Sequence, residues 1–173
     1  MHHSDKTKTQ RKPEYPPETE PLDQQAIHVA TQTFPVEHIL DMIDSGDIDT
    51  THEEQHAAPW SPTDKSRLIE SLLIRIPLPA IYFLETSDGL LQTVNGHQCL
   101  STIHTYLRGE SFRLQRLRYL TDENGKAAAE LPAPLRRELM HTRVVAHVIR
   151  SPIPYRELCE ILHRNNAAWR PLD

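Results

Sequence analysis

One stretch, residues 61–95, does most to limit what this chain can become. In S-P-T-D-K-S-R-L-I-E-S-L-L-I-R-I-P, Ser61 stands where a helix cap belongs and Pro62 takes the first helical position, where a missing N–H costs nothing. Leu68, Ile69, Leu72 and Leu73 recur at helical spacing and form one apolar stripe, and Pro77 stops it. After P-L-P, A-I-Y-F-L-E reads as a buried strand. Ser87-Asp88-Gly89 turns the chain, and L-L-Q-T-V-N reads as the strand returning beside it. A hairpin demands an antiparallel pair, while helices between strands favour crossovers. The expectation is therefore an α/β chain (α+β in its mixed sheet) rather than a purely parallel one.

The flanking segments fit that frame. Residues 27–34 (I-H-V-A-T-Q-T-F) alternate as a half-buried strand does. Pro35 then leads into a helix with Val36, Ile39, Leu40 and Ile43 on one face and Gly46 at its end. A short extended piece follows over 47–51. Residues 97–109 read as a helix whose inner face is Leu100, Ile103, His104 and Leu107, with Gly109 as its stop. Residues 112–120 alternate loosely, 122–134 read as a turn-rich loop, 143–149 as a strand, and 154–165 as a helix carrying Leu158, Ile161 and Leu162. Residues 1–25 are polar and hold Pro13, Pro16, Pro17 and Pro21. A segment with so little to bury cannot offset its ordering entropy, so a disordered tail is expected there and one domain over 26–173.

Composition narrows the function. A formal charge of −5 argues against a constitutive nucleic-acid binder held by phosphate contacts. Arg113, Arg116 and Arg118, with Arg136 and Arg137, are candidates for a local basic face toward DNA, but scattered solvated arginines explain them as well. Cys99 and Cys159 lack CxxC spacing, which points to a reducing, cytoplasmic setting without a disulfide framework. No apolar run approaches the roughly 20 residues that span a bilayer, and the N-terminus has no apolar core of a secretory signal. A soluble protein with no membrane partner is expected.

The chemistry concentrates where the second hairpin strand hands over to a helix, at V-N-G-H-Q-C-L. A glycine there lets backbone approach a ligand, and the first N–H groups of the helix favour an anion. Asn95, His97 and Gln98 would surround that position around Gly96. The plainer reading is a tight turn whose polar residues cap the helix. Cys99, at the helix start, is a candidate thiol of lowered pKa. A competing pattern is His52-Glu53-Glu54-Gln55-His56, which matches H-E-x-x-H. In that motif two histidines hold zinc and the glutamate acts as base. Pro59 and Pro62 leave room for barely one or two helical turns, so His52, Glu53 and His56 form only a weak metal site. Trp60 and Trp169 read as packing anchors, and His104 as a satisfied histidine of the core.

These runs, in order and spacing, resemble the N-terminal domain of GmrSD-type DNA restriction enzymes. That family shows a tryptophan, a helix, an S-L-L-x-x-x-P-x-P exit, a hairpin and a D-G-Q-Q-R-L-T-T-L signature opening a helix. The counterparts here are Trp60, the helix after Ser61, S-L-L-I-R-I-P-L-P and V-N-G-H-Q-C-L-S-T-I. Upstream, Gln55 and Trp60 match the family's Q-R-x-x-x-W element. Downstream, H-R-N-N-A-A-W-R-P-L is similar to R-x-N-x-G-G-x-P-L, with Asn166 at the asparagine. The resemblance implies a ParB/sulfiredoxin-like fold over about 26–173. It also implies a signature loop that binds and hydrolyses a nucleotide and thereby controls a nuclease acting on modified DNA.

By that resemblance Asn95, His97, Gln98 and Cys99 occupy catalytic positions, and Gln55, His56, Gly96 and Asn166 nucleotide-binding ones. The departures are specific. Asn95 replaces an aspartate that could hold a metal or act as a base, Cys99 and His56 replace arginines, and Ala167 and Ala168 replace glycines. Phosphoryl transfer depends on positioning and charge neutralisation, so these losses imply binding with impaired hydrolysis. The implied cofactor is a nucleoside triphosphate with magnesium, and the implied partner a separately encoded nuclease domain or subunit. The expected role of such a stand-alone domain is regulatory or vestigial in phage defence; the alternatives are an active nucleotide hydrolase, a zinc hydrolase built on His52, Glu53 and His56, and a protein-interaction module.

Overall fold

The computed structural model describes residues 21–51, 58–109 and 111–166. Five strands form one mixed sheet in the order β1-β5-β3-β4-β2. Strand β1 (Val29–Pro35) lies antiparallel to β5 (Arg143–Arg150), and β5 runs parallel to β3 (Ile81–Glu85). The expected hairpin joins β3 to β4 (Leu91–Asn95), and a two-residue β2 (Ile48–Asp49) closes the other edge parallel to β4. With five helices among the described residues, α1 (Val36–Ser45), α2 (Pro62–Leu73), α3 (His97–Leu107), α4 (Ala133–His141) and α5 (Tyr155–Asn166), the fold is α/β.

Strand parity decides where the core sits. Val144, Ala146 and Val148 of β5 share a face with Ile81 and Phe83 of β3. They join one buried cluster with Leu40 of α1, Leu72 of α2, Leu100 of α3 and Leu139 of α4. Each valine, leucine, isoleucine or phenylalanine among them contributes about 1.5–3 kcal/mol by leaving water. The opposite face stays more open, with Val145 37% exposed. Helix α5 reaches that face at Tyr82, whose Oη donates to Asn165 Oδ1 (3.0 Å).

Local signals are honoured where the sequence is explicit. Ser61 Oγ accepts from Asp64 N (3.2 Å), and the Asp64 carboxylate answers by accepting from Ser61 N (3.2 Å). Gly46 takes φ +83° and ends α1 by donating to Ile43 O (3.1 Å).

Two expectations change, and one stretch that the sequence leaves unassigned takes shape. The region read as a loop over 122–134 holds two 3-10 turns, Thr121–Glu123 and Ala128–Glu130, and runs into α4. That helix shows one fully buried residue, Leu139, too sparse a stripe to read from periodicity. The tail expected over 1–25 lies outside the described residues as far as 20, but order reaches into 21–25. Asp23 N donates to Glu157 Oε1 (3.1 Å) on α5, and Asp23 caps the turn Gln24–Ala26. Residues 112–120 form no strand. Their backbone is held instead by side chains: Gln115 N donates to Ser66 Oγ (3.0 Å), Leu117 N to Asn124 Oδ1 (3.0 Å), and the next three N–H groups to Glu70.

Candidate functional site

Strand β4 ends at Asn95, Gly96 turns at φ +84° and α3 begins at His97. A side chain at Gly96 would be strained in that left-handed conformation, so the glycine makes the abrupt strand-to-helix handover possible. The first intrahelical bond runs from Leu100 N to Gly96 O (2.9 Å). The donors ahead of it, those of Gln98 and Cys99 among them, stand outside the helical ladder, where the helix dipole is positive.

Asn95 is 2% exposed. Its Oδ1 accepts from Tyr82 N (2.8 Å), at the point where a bulge shifts the β3–β4 register. That bond fixes the amide's orientation and leaves Nδ2 buried with no hydrogen-bond partner. An unmet buried donor costs about 1–3 kcal/mol, which an acceptor placed beside it would recover.

Gln98 does work the sequence did not suggest. Its Oε1 accepts from Trp60 N (2.7 Å) and its Nε2 donates to Ala58 O (3.0 Å). It therefore clamps the strand of chain leading into α2 against the start of α3. On the other side, Thr93 Oγ1 donates to Asp49 O (2.9 Å), tying the end of β2 to β4. The chain on both sides of residues 52–57 is thus fastened beside β4 and the first turn of α3. Gln55 and His56, and with them the zinc candidates His52, Glu53 and His56, lie outside the described residues. Among the described residues no group of three or more His, Cys, Asp or Glu side chains could hold a metal ion.

The remaining sequence candidates separate. His97 is half-buried in the first turn of α3. Asn166 ends α5, one residue beyond the Asn165 that bonds Tyr82, whose own N–H meets Asn95; the Asn166 side chain is not among those described. Cys99 corrects the expectation of a reactive thiol. It lies wholly within the core cluster, and burial pushes its pKa up to about 12. The helix start does not offset the loss of solvation, so the thiol stays protonated. An arginine at position 99 would face that same core.

His104 is satisfied, though by a carboxylate rather than by burial: its Nε2 lies 2.7 Å from Asp44 Oδ1. Arg108 bonds Asp41 (2.7 Å), and together these contacts stitch α3 to α1. Arg113 pairs with Glu130, while Arg136 and Arg137 line a cleft of about 310 Å³ with Glu37, Leu107, Met140 and His141. Leu107 is the last residue of α3, so this cleft lies at the end of the helix remote from Gly96. No helix among the described residues is long and apolar enough to cross a membrane.

Comparison with family models, with curated proteins and with solved structures finds no match for this chain.

Proposed function

We infer that this protein is a ParB-like domain resembling the N-terminal domain of GmrSD enzymes, and that it binds a nucleotide at the start of α3 without efficient hydrolysis. The observation that carries this reading is Asn95: a buried amide with an unmet donor, next to a helix that opens on Gly96 with no side-chain cap. A phosphate or ribose oxygen has the acceptor such a place lacks. Fastening of the chain on either side of residues 52–57 beside that turn supports a contribution from Gln55 and His56, and the nearness of Asn165 to Tyr82 supports one from Asn166.

The absence of an acid at position 95 supports binding in preference to turnover. The role inferred is regulatory or vestigial, in the cytoplasm, in restriction of foreign DNA beside a nuclease partner. Calorimetry with each nucleoside triphosphate, with and without magnesium, tests binding, and phosphate release tests turnover. Saturable heat that Asn95→Ala abolishes, with phosphate release near background, is the expected result. No heat with any nucleotide at millimolar concentration refutes it.

A further inference from the structure

Helix α4 serves two neighbourhoods. Leu135 and Leu139 pack against the core, while Arg136, Arg137, Met140 and His141 recur at the i, i+1, i+4 and i+5 spacing of one helix face and line the cleft beside it. The rest of the apolar lining comes from elsewhere in the chain: Leu107 at the end of α3, and Ala128 and Ala129 of the 3-10 turn. Leu107 and Met140 stay only half-buried there. The two alanines leave the room, because longer side chains at 128 and 129 would reach into it.

The cations of this lining differ from most others in the chain. Arg75, Arg108, Arg113, Arg150 and Arg164 each meet a carboxylate. Arg136, Arg137 and His141 make no side-chain hydrogen bond or ion pair among the described residues. Glu37, the one acid of the lining, pairs with neither arginine. Two guanidinium groups against one carboxylate leave the cleft net positive, in a chain whose formal charge is −5. Its volume of about 310 Å³ lies at the lower end of the range of small-molecule sites. With about 30 Å³ as the share of one water, that space holds about ten non-hydrogen atoms.

We propose that this cleft binds a small organic anion, a carboxylate or phosphate ester of about ten non-hydrogen atoms, with its charge on Arg136 and Arg137 and its apolar body against Leu107 and Met140. The paired N–H donors of a guanidinium match two oxygens of either anion. None of the large hydrophobic side chains exposed among the described residues lines the cleft. The apolar surface therefore stops at its rim, which suits a small molecule and offers little to a macromolecule with a wider footprint. The cleft lies at the end of α3 remote from Gly96, so this site stands independently of the nucleotide reading.

Titration of the full chain with sodium benzoate and with phenyl phosphate, followed by backbone amide NMR, tests this. Both should shift the amides of 107, 128–129 and 136–141 saturably at millimolar concentration or below, and the tighter of the two names the acid. Benzyl alcohol, which lacks the charge, and inorganic phosphate, which lacks the ring, should each bind about tenfold more weakly. Arg136→Gln with Arg137→Gln should weaken both anions about tenfold, and Ala129→Phe should block them by filling the cleft. Glu37→Gln removes a charge of the ligand's own sign and should tighten them about twofold. All four positions are exposed, so circular dichroism should not change. No saturable shift with either anion at tens of millimolar, benzyl alcohol or inorganic phosphate binding as tightly as the anions, or an arginine-pair variant that binds as wild type does overturns the proposal. So does an acidic dipeptide amide that binds more tightly than both anions, which would mark a segment of a partner protein instead.

Discussion

Replacing Glu70 should cost more stability than any other single polar change in α2. The residue is 4% exposed, and its carboxylate is satisfied by backbone N–H groups. Oε1 accepts from Tyr119 N (2.7 Å) and Leu120 N (2.9 Å), and Oε2 accepts from Arg118 N (3.1 Å). Glu70→Ala strands three N–H groups in a mostly dry place. At about 1–3 kcal/mol each, reduced by whatever water enters, the loss is about 3–5 kcal/mol. Glu70→Gln keeps one oxygen for Tyr119 and Leu120 but turns an NH2 toward the Arg118 N–H, so it should lose about 1.5–3 kcal/mol.

Acid should erase the difference between wild type and glutamine. Burial alone would raise the Glu70 pKa, but the three N–H donors, with Arg67 nearby, outweigh it and hold the value below the ordinary 4.5. A depressed carboxylate contributes its stability above the unfolded-state pKa and loses it as pH falls through the folded one. Urea unfolding at pH 7 and at steps down through the pH 4.5 region measures this through the midpoints. Equal midpoints for wild type and Glu70→Gln at pH 7, or a gap that persists unchanged in acid, would refute the reasoning.

Two further outcomes follow from the site. A thiol reagent at pH 8 should leave Cys99 untouched in the native chain and label it on unfolding, because burial holds that thiol protonated; Cys99→Arg should lower the urea midpoint sharply, by the several kcal/mol of an unpaired buried cation, whereas Cys99→Ala stays within about 2 kcal/mol of wild type. Gln98→Ala removes both bonds to residues 58 and 60, and should speed hydrogen exchange and proteolysis there while lowering global stability by only about 1–2 kcal/mol.

Much of the architecture was legible in the chain, and the misses share a cause. The capping box at Ser61, the glycine stop at Gly46 and the hairpin turn through Gly89 each depend on atoms a few residues apart. Helix α4 has no legible sequence signature because Leu139 alone of its residues is fully buried, which leaves no apolar period. The alternation over 27–34 correctly marked a strand, but alternation cannot distinguish a half-buried strand from an edge exposed on both sides, as Thr31, Gln32 and Thr33 are.

The candidate site divides along the same line. The handover from Asn95 through Gly96 to α3 is visible in the sequence, because a glycine between a strand pattern and a helix pattern has few other uses. The inward turn of Cys99, the clamp made by Gln98 and the unmet Nδ2 of Asn95 are not. Each depends on chain that returns from elsewhere in the sequence, and no local pattern encodes which neighbour arrives.

By itself, then, the sequence determined the helices with strong caps and stripes, the hairpin and the glycine turn, since backbone preference and side-chain period act within a few residues. Only the tertiary structure decided that β5 enters between β1 and β3, that Glu70 anchors a loop 48–50 residues away, and that β1 is left on the edge. Burial and long-range hydrogen bonds belong to pairs of distant segments, and they acquire a value only once the chain has brought those segments together.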